Sequence, residues 1–152
     1  MGFIDTIKAR AKADKKTIVL PESEDRRTYE AAAQILKEDL ANLIIIGSEE
    51  AVKKGSEGLD VSKATIVDPE KNEKTQAYVD KLVELRAKKG MTPEKARETI
   101  LNDYTYYGVM MVKRGDADGL VSGACHSTAN TLRPCLQILK TKPGTKLVSA
   151  FF

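Results

Sequence analysis

The run Ser122–Gly123–Ala124–Cys125–His126–Ser127–Thr128–Ala129–Asn130–Thr131 gathers hydroxyls, a thiol and the chain's single imidazole around one glycine, and Arg133 follows two residues later. It begins where a short aliphatic run, Gly119–Ser122, ends, and it leads into a helical pattern that extends to Lys140. In open α/β sheets ligands sit beyond the carboxyl ends of strands, which is where this places Ser122 and Gly123. Gly123 allows a ligand close to the backbone. The amides that open the next helix favour an anion. Arg133, one to two turns in, can grip a phosphate or carboxylate with two parallel hydrogen bonds. The expected ligand is an anionic acyl or phosphoryl group.

The same residues also support a plainer reading. Every strand-to-helix turn needs a glycine and a cap, and Ser127, Thr128 or Asn130 could be no more than that. His126 could be a hydrogen-bonded structural histidine instead of a base. Cys125 and Cys135 read as small buried fillers, since only Arg133 and the helix start would lower a thiol pKa there. Arg86 is by default a charge on a helix surface. Tyr104, Tyr106 and Tyr107 read as core and rim.

The elements that must position these groups alternate between strand and helix. Phe3, Ile4, Ile7 and Ala11 recur at helical spacing. Thr17–Leu20 is a β-branched and aliphatic strand stopped by Pro21; Ser23, Glu24 and Asp25 then supply caps for a helix over Arg26–Glu38. Asn42–Ile46 is a second strand, followed at Ser48 by a short helix through Lys54. Ala64–Val67 is a third strand. A helix over Glu73–Lys88 stops at Gly90, Thr92–Pro93 opens another, and Asn102–Asp103 restarts a helix through Arg114. A last strand is expected over Lys146–Phe152. This alternation predicts a three-layer αβα domain around a parallel sheet. An apolar strand pattern with no polar tail further suggests a chain cut at a domain boundary, with residues 1–145 the first α/β domain and residues 146–152 the start of the next.

Composition narrows the function classes. The chain has 152 residues, 41% of them hydrophobic, with 25 basic against 22 acidic side chains. That suits one globular domain. The basic residues alternate with carboxylates along helices, so nucleic acid is not the expected partner. Membrane-spanning stretches and a signal peptide are not apparent, and two cysteines do not make a disulfide scaffold; a cytoplasmic location is expected. No spaced Cys/His set for zinc is legible, and no metal is expected.

The run ADGLVSGACHSTANTLRPCLQILKTKPGTKLVSAFF closely resembles the phosphate acetyltransferases. IVLPESEDRRTYEAA, ELRAKKGMT and YYGVMMVKRGDADG are similar to the same family in the same order, so the resemblance covers almost the whole chain. It implies the reversible reaction of acetyl-CoA with phosphate to give acetyl phosphate and CoA, with CoA as a substrate and no bound cofactor. It implies a fold like isocitrate and isopropylmalate dehydrogenases, two α/β domains with a cleft between them, and a homodimer for the full-length enzyme. The family's cleft arginines fall on Arg86 and Arg133, as contacts to phosphate or the phosphorylated substrate. Ser122, Gly123, His126, Ser127 and Thr128 fall in the matching cleft loop. The aspartate that takes the thiol proton and its serine neighbour find no match here, so the chain is expected to be an N-terminal fragment inactive alone. Asn130 stands where an aspartate is frequent, Asn102–Asp103–Tyr104 replaces a more usual Asp-Pro pair, and Cys125 and Cys135 take positions often held by small apolar residues. Other readings are a non-catalytic domain that binds phosphate or CoA, half of a split enzyme, or an enzyme acting on butyryl phosphate.

Overall fold

A computed structural model describes residues 2–148. Four short parallel strands, β1 (Thr17–Leu20), β2 (Asn42–Ile46), β3 (Thr65–Val67) and β4 (Gly119–Leu120), form one sheet in the order β3-β2-β1-β4. Register is fixed by pairs such as Val19 with Ile44, Ile45 with Ile66, and Val19 with Leu120. The chain steps outward from β1 to β3 and then returns to the other flank of β1. The order therefore reverses between β1 and β4, and a crevice opens beyond their carboxyl ends.

Strand side chains alternate between the two faces of the sheet. Leu20, Leu43 and Ile45 face a core built with Tyr29, Ala32, Leu36 and Val52, from helices α2 (Arg26–Lys37) and α3 (Glu49–Gly55). Val19, Ile44 and Ile46 face the other core, built with Tyr78, Leu82, Ile100, Tyr107 and Met110 from α4 (Thr75–Arg86), α5 (Pro93–Asn102) and α6 (Tyr104–Lys113). The result is the expected helix–sheet–helix layering. Gly108 lets α6 lie close on the sheet: a Cβ there would sit 2.7 Å from Leu120 Cδ1 and 2.9 Å from Val19 Cγ1.

Local chemistry sets the ends of the elements. Asp25, Ser48, Thr92 and Asp103 each accept a backbone N–H at the start of a helix. After α4 a single 3-10 turn, Ala87–Lys89, ends at Gly90 with φ +81°. The amphipathic helix α1 (Phe3–Ala13) forms as expected, yet Phe3, Ile4 and Ile7 stay exposed.

Three expectations need correction. The strand read as Gly119–Ser122 stops at Leu120; Val121 is exposed, although its N–H still reaches Val19 O at 3.0 Å, and among the described residues β4 pairs with β1 alone. The helix expected to run to Lys140 is regular only over α7 (Thr128–Pro134). It widens into a π turn over Cys135–Leu139, where Lys140 N–H reaches back to Cys135 O. Pro134 has no N–H to donate to Asn130 and its ring crowds that carbonyl, which loosens the helix at this point. Lys146–Val148 is irregular, and the rest of the expected last strand, residues 149–152, lies outside the described residues.

Candidate functional site at the strand-order reversal

At the crevice the β1–α2 turn meets the loop that leaves β4. Glu22, which directly follows Pro21, is only 2% exposed, and its carboxylate occupies the loop's amides. Oε1 accepts from Gly123 N at 2.6 Å and Ala124 N at 2.9 Å, while Oε2 accepts from Cys125 N at 2.8 Å and His126 N at 3.2 Å. Arg27, held by Asp25, donates from Nη2 to the Ala124 carbonyl at 2.6 Å. Neighbouring amides turned toward one point make an anion nest. The expected anion was assigned to the amides that open the next helix; the loop amides just before that helix are filled by a carboxylate of the chain itself.

Gly123 is required by its backbone, with φ +113°, and a Cβ there would meet open space. The left-handed φ by itself calls for glycine here.

The electrostatics follow from this packing. Burial alone would raise the Glu22 carboxyl. The amides of Cys125 and Ala124 and the His126 ring outweigh it and hold the group well below the usual carboxylate range. His126 lies between two carboxylates, with Nδ1 2.8 Å from Glu22 and Nε2 3.2 Å from Glu24, and the Glu22 bond raises its pKa. The ring is thus tied to the chain's own acids, in keeping with the plainer reading of this histidine. Cys125 is exposed, which corrects its reading as a buried filler. Its thiol is pushed up to about 12 by desolvation of the sulfur and by Glu22 and Glu24. Cys135 is half-buried against the second core. Ser127 caps α7, its Oγ accepting from Asn130 N at 3.2 Å, and Thr128 is the exposed first residue of that helix.

The two arginines belong to a separate wall. Arg86 ends α4, and Arg133 lies in the last turn of α7, exposed, with Nη1 3.3 Å from Asn130 Oδ1. Tyr106 lies within reach of both charges: burial raises its hydroxyl, Arg133 and Arg86 oppose that rise, and the hydroxyl donates to Gln137 Oε1 at 2.8 Å. α4 and the π turn are in contact, which brings these segments together. Among the described residues, three buried side-chain polar atoms have no partner: Arg86 Nε, Ser122 Oγ and Thr131 Oγ1. They sit at the end of α4, just past β4, and on α7. Sequence reasoning found Arg86 and Ser122 but missed Thr131 and Glu22. Thr131 lay inside the quoted motif and could have been drawn from it; Glu22 carried no local signal, because its partners are about a hundred residues away.

A cavity of about 450 Å³ opens beside the loop, lined by Pro21, Ser23, Glu24, Asp103, Thr105 and His126, among others. No helix among the described residues is long and apolar enough to cross a membrane.

Comparison with known proteins bears on the whole chain. The phosphate acetyltransferase of Acetivibrio thermocellus is 56% identical over all 152 residues, and that of Thermoanaerobacterium thermosaccharolyticum 53% identical; the chain spans 46% of each, about half their length. Among solved structures, a phosphotransacetylase from Streptococcus pyogenes superposes with a TM-score of 0.87 at 39% identity, over 97% of this chain and 46% of that one. The EutD phosphotransacetylase from Staphylococcus aureus superposes with a TM-score of 0.84 at 41% identity, over 95% of this chain and 44% of that one. The family described as phosphate acetyl/butaryl transferase matches residues 2–152, and the chain belongs to it.

Proposed function

We propose that this chain forms the anion-holding wall of an acyl-transfer cleft, and that the protein containing it interconverts acetyl-CoA plus phosphate with acetyl phosphate plus CoA. The observation that carries the reading is the set of three unpartnered buried atoms, Arg86 Nε, Ser122 Oγ and Thr131 Oγ1. Buried polar groups are nearly always paired, so atoms left unpaired on segments that resemble the family's cleft call for a ligand or a facing surface. Arg133 and Arg86 supply the charge, and the phosphoryl group is the expected occupant. Ser122 contributes its hydroxyl. Gly123, His126, Ser127 and Thr128 shape the loop, and their contribution is positional where Glu22 already holds the backbone.

In this reading CoA is a substrate, and the reaction gains chiefly from holding two reactants together, worth roughly 7–11 kcal/mol, and from charge stabilisation at the acyl oxygen. The thiol-deprotonating carboxylate belongs to chain beyond these residues. The finer expectations go with the same proposal: a dehydrogenase-like two-domain enzyme with its boundary near residue 145, a cytoplasmic home, and a homodimer.

The experiment is a calorimetric titration of phosphate and of acetyl phosphate into the chain, with an acetyl-transfer assay beside it. Binding is expected without turnover. Arg133→Ala and Arg86→Ala should each weaken binding at least about tenfold, as losing a charge-assisted contact of about 1.5–3 kcal/mol implies. Unchanged affinity in both variants removes the arginines from the site, and turnover by the 152 residues alone defeats the division of labour proposed here.

A further inference from the structure

Glu22, Cys125 and His126 present one ligand atom each, all within 4.8 Å of one another, on two loops brought together from distant parts of the chain. Cys125 Sγ is 3.1 Å from Glu22 Oε2 and 3.5 Å from His126 Nδ1, and that nitrogen is 2.8 Å from Glu22 Oε2. A tetrahedral zinc ion with bonds of about 2.0–2.3 Å sets its ligands roughly 3.3–3.6 Å apart. The three atoms need to open by only a few tenths of an ångström to admit such an ion.

We propose that Glu22, Cys125 and His126 form a binding site for a borderline divalent cation of the zinc class. One carboxylate oxygen, one sulfur and one imidazole nitrogen suit zinc and disfavour magnesium or calcium, which demand oxygen ligands. The supporting groups are already in place. Gly123 and Ala124 amides fix Glu22 Oε1, and the Cys125 and His126 amides hold Oε2 beside the other two ligands. Glu24 Oε1, 3.2 Å from His126 Nε2, holds the ring with Nδ1 turned to the site. Of the three ligands, His126 also lines the neighbouring cavity, together with Ser23 and Glu24. The same carboxylates that disfavour a bare thiolate attract a divalent ion, and the ion then replaces the thiol proton. On binding, the Cys125 S–H bond and the Nδ1–H bond of the His126 imidazolium break, S–metal and N–metal bonds form, the two protons pass to solvent, and the neutral ring keeps its Nε2–H toward Glu24, with no change of oxidation state. The bound ion would tie the β1–α2 turn to the loop after β4. The site is independent of whether the arginine wall binds phosphate.

The test titrates zinc into the chain against a chromophoric chelator and, separately, cobalt(II) monitored by absorption. One ion per chain and a near-ultraviolet thiolate-to-cobalt band are expected. Cys125→Ser should abolish the band and weaken zinc at least about tenfold, and Glu24→Gln should weaken it within the roughly 10–100-fold range of outer-shell losses. Cys135→Ser should change neither. Far-ultraviolet circular dichroism checks the fold of each variant, and if Cys125→Ser fails to fold, the same loss of zinc affinity is required of His126→Gln. No stoichiometric uptake by the unaltered chain, or a band that survives Cys125→Ser, overturns the proposal and leaves the three groups as a hydrogen-bonded cluster.

Discussion

Glu22 fills the amides of the loop that leaves β4. Its carboxylate accepts four amides and a ring nitrogen at one buried point. A glutamine is nearly the same shape but carries no charge, and it turns an NH2 group toward N–H donors. Glu22→Gln should therefore destabilise the chain by about 1.5–3 kcal/mol, the net worth of hydrogen bonds to a charged group, measured as a shift in the urea midpoint. A stability loss below a few tenths of a kilocalorie would mean that the loop holds itself. Glu24 lies two residues on, half-exposed, and meets the outer nitrogen of His126 and, at 3.5 Å, the Cys125 thiol, so its loss should cost much less.

At the level of elements, α6 rests on the sheet through Gly108. A valine there would push its Cβ and two methyls into Leu120 and Val19, inside a packed layer. Gly108→Val should destabilise by about 1–3 kcal/mol, read from the same denaturation curve. Elements of this kind were largely legible in the sequence. Strands at Thr17, Asn42 and Thr65 are β-branched and apolar, and Asp25, Ser48, Thr92 and Asp103 cap where short polar side chains must. Gly108 was not legible, since a glycine within a helical pattern does not reveal what crosses it. The π turn was hidden as well, because Pro134 was read with the helix that it disrupts. Of the candidate site, Arg86, Ser122 and Arg133 stand out in the sequence by type and family likeness. The role of Glu22 was not legible, because a sequence shows donors but not the acceptor that reaches them from another loop.

For the whole molecule, two oppositely shifted groups shape stability against pH. Glu22 is depressed, so its contribution is present above its unfolded pKa near ~4.3 and is lost as pH falls toward the folded value. His126 is raised, so its contribution is full below about 6.5 and is lost as pH rises through its folded pKa. The pairing should be strongest between about pH 4.3 and 6.5. His126→Gln should remove the part of the decline in urea midpoint between pH 5.5 and 8 that belongs to this ring; an identical decline in both chains would show that His126 does not contribute. The sheet order carries a further implication for biogenesis. β1 lies inside the sheet between β2 and β4, and β4 is made about a hundred residues after it. Such distant partners are slow to find one another, because the intervening loop must close first. Until then one flank of Ile18 and Val19 is an unpaired edge, and the Glu22 carboxylate waits in water for its amides. During synthesis this stretch is the one most in need of shielding from neighbouring nascent chains.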